Sequence, residues 1–274
     1  MTGIPRLPLN DGRSIPQLGF GVYKIAEAET VDAVLTALEA GYRHIDTAAF
    51  YKNERGVGEG IRRSGIPRED VFVTTKVWWT ENGYDPARRS FDASLRRLGV
   101  DTVDLFLIHW PAPKLDRYVE TWRALERVRD EGLAGSIGVA NFHLHHLERL
   151  ARETETVPAV NQVELHPWLP QVEVRAYDAQ HGIATEAWSP LARGRVLADP
   201  ALAALAAKHG VTPAQVVLRW QVQLGNIVIP KSSTPARIRE NLEVFGFELD
   251  ADDLAVIATL ESGERTGKDP DDLG

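Results

Sequence analysis

Eight short apolar runs, each followed by a stretch with helical periodicity, recur along the whole chain. Several helical stretches, such as TVDAVLTALEAG and DPARRSFDASLRRLG, begin at Thr or Asp and end at Gly, which are favoured helix caps. Apolar runs such as DLFLIHW are typical of parallel strands that are buried on both faces. The repeated strand–helix unit predicts an α/β fold with a parallel sheet. The predicted strands are Leu18–Gly21, His44–Asp46, Val71–Lys76, Val103–His109, Ser136–Val139, Ala159–Val163, Ala184–Ala187 and Ile227–Ile229.

Two architectures accommodate this alternation: a closed (β/α)8 TIM barrel and an open doubly wound sheet. A doubly wound dinucleotide fold carries GxGxxG directly after a strand. The run GVGEG at Gly56–Gly60 has another spacing and follows no strand directly, so it predicts a helix start that tolerates glycine. The sequence therefore favours the (β/α)8 barrel, as one domain over residues 1–274.

The sequence predicts further elements before and after the eight strand–helix units. The opening segment LPLNDGRSIPQ predicts a β-hairpin that turns at Asn10-Asp11-Gly12 and caps the bottom of the barrel. An extra helix and a tail are expected after the last strand. The tail from Ser262 to Gly274 is polar, with an acidic DPDD stretch that should be solvated, and we expect it to be mobile at its end.

Composition narrows the possible functions. The formal net charge of −8 does not suit a general nucleic-acid binder. The absence of cysteine excludes disulfides, thiolate nucleophiles and cysteine metal sites. No stretch approaches the roughly 20 apolar residues of a membrane span, and the amino terminus lacks the apolar core of a signal peptide. We expect a cytoplasmic monomer without membrane or nucleic-acid partners.

Polar and aromatic residues stand where the predicted strands end, which in a barrel is the face that carries chemistry. Each alone has an ordinary structural explanation, such as a turn cap for Asp46. Together they would gather an acid, a phenol, an amine and an imidazole at one barrel mouth. These residues are Asp46, with Tyr51 five positions later, Lys76, His109, Asn141, Asn161, Gln162, Trp188 and Lys231.

This set suits protonation of an oxygen that is gaining negative charge. A tyrosine has an ordinary pKa of about 10, which a neighbouring ammonium should lower, while a carboxylate keeps that ammonium charged. A histidine can orient a carbonyl by donating a hydrogen bond. Hydride addition to a carbonyl carbon creates such an oxygen, and since no side chain supplies hydride, a nicotinamide cofactor is required.

The chain resembles the aldo-keto reductase family over nearly its whole length. The segments that carry the resemblance are LGFGVYK, GYRHIDTAAFYKNERGVGEGI, VTTKVW, VDLFLIHWP, GSIGVANF, NQVELHP and IPKSSTPARIRENL. The likeness is greatest to short bacterial members of the diketogluconate reductase type. It implies NADPH-dependent reduction of aldehydes and ketones to alcohols, with keto-sugars such as 2,5-diketo-D-gluconate among the candidate substrates.

The resemblance also implies roles for individual residues. The implied catalytic tetrad is Asp46, Tyr51, Lys76 and His109, with Tyr51 as the proton donor. The implied NADPH-binding residues are Asn141, Gln162, Trp188, Ser189, Leu191, Lys231, Ser232, Arg237, Glu240 and Asn241. The implied substrate-binding residues are Tyr23, Phe50, Trp78 and Trp110.

Two further segments bear on ligands. KSSTPARIRENL reads as a helix start, with Ser233 or Thr234 as cap and Pro235 in the first turn, where an anion meets free backbone N–H groups. The histidines of FHLHHLE (His143, His145 and His146) lack an i, i+4 pair, so we expect them to face solvent, and no metal site is predicted.

Two other functions remain open from the sequence. Lys76 could form a Schiff base in a barrel lyase or aldolase. A regulatory subunit that binds NADPH without turnover could share the same fold.

Overall fold

The computed structural model describes residues 3–274 and begins with a β-hairpin. Strands β1 (Arg6–Pro8) and β2 (Ser14–Pro16) pair antiparallel, as predicted. Ile15 of β2 is fully buried in a cluster that includes residues of the parallel sheet. The Asn10 side chain donates to the backbone oxygen of Pro158, just before a sheet strand begins. The hairpin therefore lies against the amino-terminal side of the sheet.

Eight parallel strands follow one another in chain order within one curled sheet. This order never reverses, unlike that of a doubly wound sheet. The two edges also meet, because Leu18 forms a parallel bridge with Val228 and the Gly19 N–H donates to the Val228 oxygen at 2.8 Å. The eight predicted strands are confirmed, with ends that differ by at most two residues. The strands are β3 (Phe20–Gly21), β4 (His44–Asp46), β5 (Phe72–Val77), β6 (Val103–Ile108), β7 (Ala134–Ala140), β8 (Val160–Glu164), β9 (Ala184–Trp188) and β10 (Ile227–Val228).

Helices follow the strands and cover the outer face of the sheet. Side chains alternate along β6: Leu105 and Leu107 join the cluster of the hairpin, whereas Phe106 and Ile108 pack in the cluster that holds helix residues. Phe106, for example, packs on Phe91 with ring centroids 4.6 Å apart. No helix within residues 3–274 has the length and apolarity needed to cross a membrane. The helices are α1 (Glu27–Ala40), α2 (Glu54–Ser64), α3 (Tyr84–Leu98), α4 (Tyr118–Asp130), α5 (Leu144–Glu153), α6 (Val172–Gln180), α7 (Pro200–His209), α8 (Pro213–Gln223), α9 (Pro235–Glu240) and α10 (Ala251–Ala258).

The GVGEG glycines lie in the first turns of α2, which confirms the predicted helix. They allow neighbouring helices to approach: a Cβ on Gly56 would lie 2.8 Å from Thr30 of α1, and one on Gly58 only 1.8 Å from the backbone oxygen of Leu98. These glycines therefore serve helix packing.

We expect Gly58→Ala to destabilise the protein by at least the ~1–3 kcal/mol typical of overpacked cores, because the clashing atom belongs to backbone. Thermal unfolding would measure this. Gly246→Ala is the matched control, since a Cβ there meets nothing within 4 Å. A Gly58→Ala protein with wild-type stability and lost dinucleotide affinity would instead make the run a cofactor contact.

Candidate active site

Lys76 and Asp46 form a buried ion pair at the ends of the neighbouring strands β5 and β4. The Lys76 Nζ lies 2.6 and 2.8 Å from the two carboxylate oxygens of Asp46 and also donates to the Thr47 backbone oxygen at 2.9 Å. Lys76 is fully buried and Asp46 is 1% exposed. Three acceptors use all three protons of an ammonium. Lys76 is thus held as a charged group and does not present a free amine.

Tyr51 ends a short 3-10 helix (Ala49–Tyr51) beside this pair. Its ring centroid lies 5.2 Å from Lys76 Nζ and 5.6 Å from the His109 ring. The loop that follows is fixed by the buried Asn53, which accepts from the Thr47 hydroxyl and donates to the Val22 and Ile25 backbone oxygens. Sequence reasoning missed Asn53, although an amide two residues after the phenol was a signal for such an anchor.

The direction of the Tyr51 pKa differs from the sequence expectation, in which Lys76 lowers it. Burial, followed by the Asp46 carboxylate, raises the pKa of Tyr51 well above its ordinary value. The Lys76 ammonium favours the phenolate, but the Asp46 carboxylate in direct contact with it weakens this effect, so burial decides the direction. Tyr51 is therefore a neutral phenol with its proton in place.

His109 is a buried neighbour of the phenol, and the Trp78 ring lies 5.0 Å from its ring. Burial, and secondarily the Lys76 charge, holds the pKa of His109 well below its ordinary value. The ring is neutral near pH 7 and carries a single N–H, so it can donate a hydrogen bond without acting as an acid.

Hydrogen bonds fix side chains at the strand ends in two separate groups. Asn141, with a left-handed φ of 64°, donates from Nδ2 to the His109 backbone oxygen and accepts from Trp188 Nε1 at 2.8 Å. Gln162 donates from Nε2 to Asp46 Oδ2 at 2.9 Å and to Glu186 Oε2 at 3.0 Å. The orientation of the Gln162 amide follows from these bonds, because only its nitrogen can donate to both carboxyl groups.

A cavity of about 1230 Å³ opens at the carboxyl ends of the strands. Lys76, His109 and Asn141 are not among the lining residues, although His109 packs against Tyr51 and Trp78, and Asn141 bonds to Trp188, which all line it. Residues that line it without having been predicted include Lys24, Arg193, Thr212 and Lys268. The predicted residues that line it are Tyr23, Asp46, Phe50, Tyr51, Trp78, Trp110, Gln162, Trp188, Ser189, Leu191, Lys231, Ser232, Arg237, Glu240 and Asn241.

Two exposed cations, Lys231 and Arg237, line this cavity. Within residues 3–274, neither Lys231 nor Arg237 has an ion-pair partner. The helix predicted in this segment is confirmed as α9, with Thr234 as its cap residue and Pro235 in its first turn. Ser232 is buried and its hydroxyl accepts from the Thr234 N–H, so the loop is held in place.

Hydrogen bonds hold the middle of the carboxyl-terminal tail against the strand ends, and the mobility of its end stays a prediction. Thr266 and Gly267 donate backbone N–H groups to the buried Glu164 at the end of β8. Although burial opposes ionisation, hydrogen bonds from His166 and the tail lower the pKa of Glu164 to about 2. A Cβ on Gly267 would lie 2.5 Å from the Trp188 ring, so only glycine fits there. The tail consequently forms part of the cavity wall.

The histidines of FHLHHLE and the DPDD stretch were both predicted to be solvated. This is wrong for His146, which is buried, whereas His145 and Asp271 are exposed as predicted. Asp271 accepts from His143 and His145 at 3.2 and 3.1 Å and lies 3.2 Å from His146, which is 1% exposed. His146 Nδ1 accepts the His143 backbone N–H, so the proton of the neutral ring sits on Nε2, which lies 3.2 Å from Asp271 without forming a hydrogen bond. In the cluster (His143, His145, His146 and Asp271), two histidines thus hydrogen-bond one carboxylate and fasten the tail to α5.

Comparisons with known proteins agree with this geometry. The model of the Aldo/keto reductase family matches residues 17–262. An aldo-keto reductase of Mycolicibacterium smegmatis is 56% identical and covers 97% of each chain. Methylglyoxal reductase DkgA of Yersinia pestis is 50% identical over 100% of this chain and 99% of its own. The crystal structure of a Gox0644 mutant in complex with NADPH has a TM-score of 0.94 at 46% identity and covers 98% of each chain.

Proposed function

The chain belongs to the aldo/keto reductase family and is an NADPH-dependent oxidoreductase that reduces aldehydes and ketones to alcohols, and we propose that Tyr51 donates the proton in this reaction. The observation that carries the proposal is a protonated, buried phenol beside the Lys76–Asp46 ion pair at the wall of the cavity. A neutral donor is what an oxygen that gains negative charge requires.

The residues around the cavity fit NADPH. Lys231, Arg237 and Ser232 would hold the adenosine 2′-phosphate, with Glu240 and Asn241 near the adenine. The cofactor, when bound, supplies hydride to the carbonyl carbon. Trp188 is held by its bond to Asn141 and would stack on the nicotinamide. Ser189 and Leu191 would line the part of the cavity that NADPH occupies.

The carboxamide of the cofactor would meet Asn141 and Gln162. The Nε2 of Gln162 is occupied by two carboxyl groups, which leaves its Oε1 as an acceptor for the carboxamide NH2. The amide of Asn141 keeps one further donor hydrogen and one lone pair beyond its bonds to His109 and Trp188.

The other tetrad residues would support the proton transfer. Lys76 and Asp46 form a charged pair that moves little during reaction, since its partners are fixed and buried. As the carbonyl oxygen takes the phenolic proton, the Lys76 ammonium stabilises the phenolate that forms. The neutral His109 orients the carbonyl oxygen by hydrogen bonding.

The substrates would be small carbonyl compounds. Tyr23, Phe50, Trp78 and Trp110 supply aromatic walls, and Phe50 stacks on Trp78 with ring centroids 3.7 Å apart. Such walls accept carbonyl compounds of varied shape. Relatives named methylglyoxal reductase support methylglyoxal as one substrate, beside keto-sugars such as 2,5-diketo-D-gluconate.

We also propose that the curled sheet is a (β/α)8 barrel with the hairpin at its bottom. The bridge between Leu18 and Val228 supports closure, and the contact of Asn10 with Pro158 supports the place of the hairpin. The monomeric state, the single domain and the cytoplasmic location remain predictions.

The arrangement disfavours both alternatives raised from the sequence. A Schiff base needs an uncharged amine, whereas Lys76 makes three hydrogen bonds to acceptors. A regulatory subunit without turnover does not require a proton donor, whereas Tyr51, the Lys76–Asp46 ion pair and His109 lie together here.

A panel of methylglyoxal, keto-sugar acids, simple aldehydes and ketones, followed by NADPH oxidation, tests the function. We expect turnover with several of them. Tight NADPH binding without turnover on any would support a regulatory subunit, and trapping of Lys76 by borohydride with a carbonyl substrate would support the lyase.

The role of His109 gives a separate prediction. His109→Gln keeps a hydrogen-bond donor and should retain clearly more activity than His109→Ala, because a neutral imidazole orients the carbonyl without protonating it. kcat/KM values on several substrates would measure the difference. Equal activity of the two variants would contradict an orienting bond.

A further inference from the structure

A second carboxyl group, Glu186, lies in the sheet interior beneath the predicted tetrad. The register of β8 and β9 pairs Gln162 with Glu186, so both side chains point to the same face. Glu186 is fully buried. Gln162 Nε2 donates one hydrogen to Glu186 Oε2 and the other to Asp46 Oδ2. One amide therefore links Glu186 to the Lys76–Asp46 pair.

The charges around Glu186 argue that it is a neutral acid. The facing titratable groups are His44, Asp46, Lys76 and Tyr51, and Lys76 is already balanced by Asp46. The Oε1 of Glu186 lies 3.8 Å from His44 Nε2 and has no hydrogen-bond partner within residues 3–274. An ionised Glu186 would leave a buried negative oxygen without a donor, which costs more than the unpaired hydroxyl that a neutral acid leaves at the same place.

The neighbouring histidine adds no positive charge. Burial, and then the Lys76 charge, lowers the pKa of His44 to about 3, so its ring is neutral at working pH. Burial, and then the Asp46 carboxylate, raises the pKa of Glu186 to about 8. The hydrogen bonds and the pKa directions of His44 and Glu186 agree with one arrangement of charge. Lys76 is an ammonium, Asp46 is a carboxylate and Glu186 is a neutral acid.

We propose that Glu186 is a positioning residue for the reductase: as a neutral acid it fixes the Gln162 amide, and through that amide it orients Asp46 and the carboxamide acceptor of Gln162. This inference rests on the proposed roles of Asp46, Tyr51 and Gln162. Without an acceptor at position 186, Gln162 has a buried hydrogen without a partner and is free to turn its amide. If Glu186 ionises, a second buried anion near Tyr51 makes the phenol a weaker acid.

The direction in which pH changes the reduction rate follows from the raised pKa of Glu186. Below about pH 8 Glu186 is protonated and the phenol is at its strongest as an acid. Above that pH the added charge should slow proton donation, by at most about tenfold if it raises the pKa of the phenol by one unit. The single-turnover rate of carbonyl reduction should therefore fall on the alkaline side in the wild type.

Glu186→Gln keeps an oxygen acceptor and cannot ionise. We expect its rate at pH 7 and its NADPH Kd to stay within about threefold of wild type, and its alkaline fall to be absent. Glu186→Leu has a similar size but no acceptor, and should lose at least tenfold in rate and bind NADPH more weakly. Circular dichroism checks folding, and if Glu186→Leu does not fold, the Glu186→Gln profile decides alone.

Infrared spectroscopy gives a readout that does not depend on activity. The protonated carboxyl band at pH 7 should lose intensity in Glu186→Gln. Asp178→Asn is the matched control, because Asp178 is a buried acid whose pKa burial raises to about 7. Its partners Thr185 and Asn161 do not line the cavity, which corrects the expectation that Asn161 faces the mouth. That variant should keep the wild-type pH–rate profile.

The proposal is overturned if Glu186→Gln shares the alkaline fall of wild type, or if its carboxyl band is unchanged. A wild type that oxidises no NADPH with any carbonyl would contradict the proposed function, and the infrared comparison would still decide the charge state of Glu186.

Discussion

Tyr51→Phe should reduce turnover by at least the ~10²–10⁴-fold typical of losing a general acid, while NADPH binding changes little. The substitution deletes one hydroxyl and keeps the ring that packs against Tyr23 and His109. Because burial keeps the phenol protonated, the hydroxyl is a donor at every pH at which the protein would be assayed. The measurement is the single-turnover rate of carbonyl reduction, where chemistry limits the signal.

Tyr84→Phe is the matched control for this variant, since Tyr84 is an exposed tyrosine on α3 and does not line the cavity. It should keep wild-type turnover. A folded Tyr51→Phe protein that retains more than about a tenth of the wild-type rate would show that another group or water supplies the proton.

Much of the candidate site was predictable because the strand–helix repeat relates a residue's position in the sequence to its position in the fold. The parallel strands end at the same edge of the sheet, so Asp46, Gln162 and Trp188 could be assigned to that edge from the alternation alone. The aromatic residues of the lining were predicted through the family resemblance, since Phe50 and Trp78 by themselves read as ordinary packing residues.

The features that the sequence did not predict depend on the register between strands and on how deeply a side chain is buried. The link from Asp46 through Gln162 to Glu186 requires the pairing of β8 with β9, which no local pattern reveals. The pKa direction of Tyr51 depends on how deeply its ring is buried, so a list of neighbouring charges gave the wrong sign.

The tail shows the same limit. Its composition indicates a solvated segment, yet its partners lie about a hundred residues or more away, at Glu164 and at the three histidines beginning with His143. The histidines contain no i, i+4 pair, and the fourth member of the cluster, Asp271, comes from the tail, so the histidine spacing did not reveal the cluster.

Removing both Lys231 and Arg237 should weaken NADPH strongly and leave NADH nearly unchanged. The two cofactors differ only by the 2′-phosphate, so a preference must come from contacts to that group. Both cations are exposed at the cavity and have no ion-pair partner within residues 3–274, so each is available to a phosphate. Arg237 can bind it with two parallel hydrogen bonds.

Each charge-assisted bond contributes roughly 1.5–3 kcal/mol, which corresponds to about ten- to a hundredfold in affinity. The Lys231→Ala/Arg237→Ala protein should therefore lose about a hundredfold or more in NADPH affinity if the two contributions add. Quenching of tryptophan fluorescence gives Kd for both cofactors. Added salt should weaken NADPH binding more than NADH binding in the wild type, because part of the attraction to the 2′-phosphate is screened.

Arg239→Ala, on the same helix but outside the cavity lining, should leave both Kd values unchanged. Parallel loss of both cofactors in the double variant would mean that the cations support the loop, and a wild type that binds NADH as tightly as NADPH would contradict the phosphate assignment.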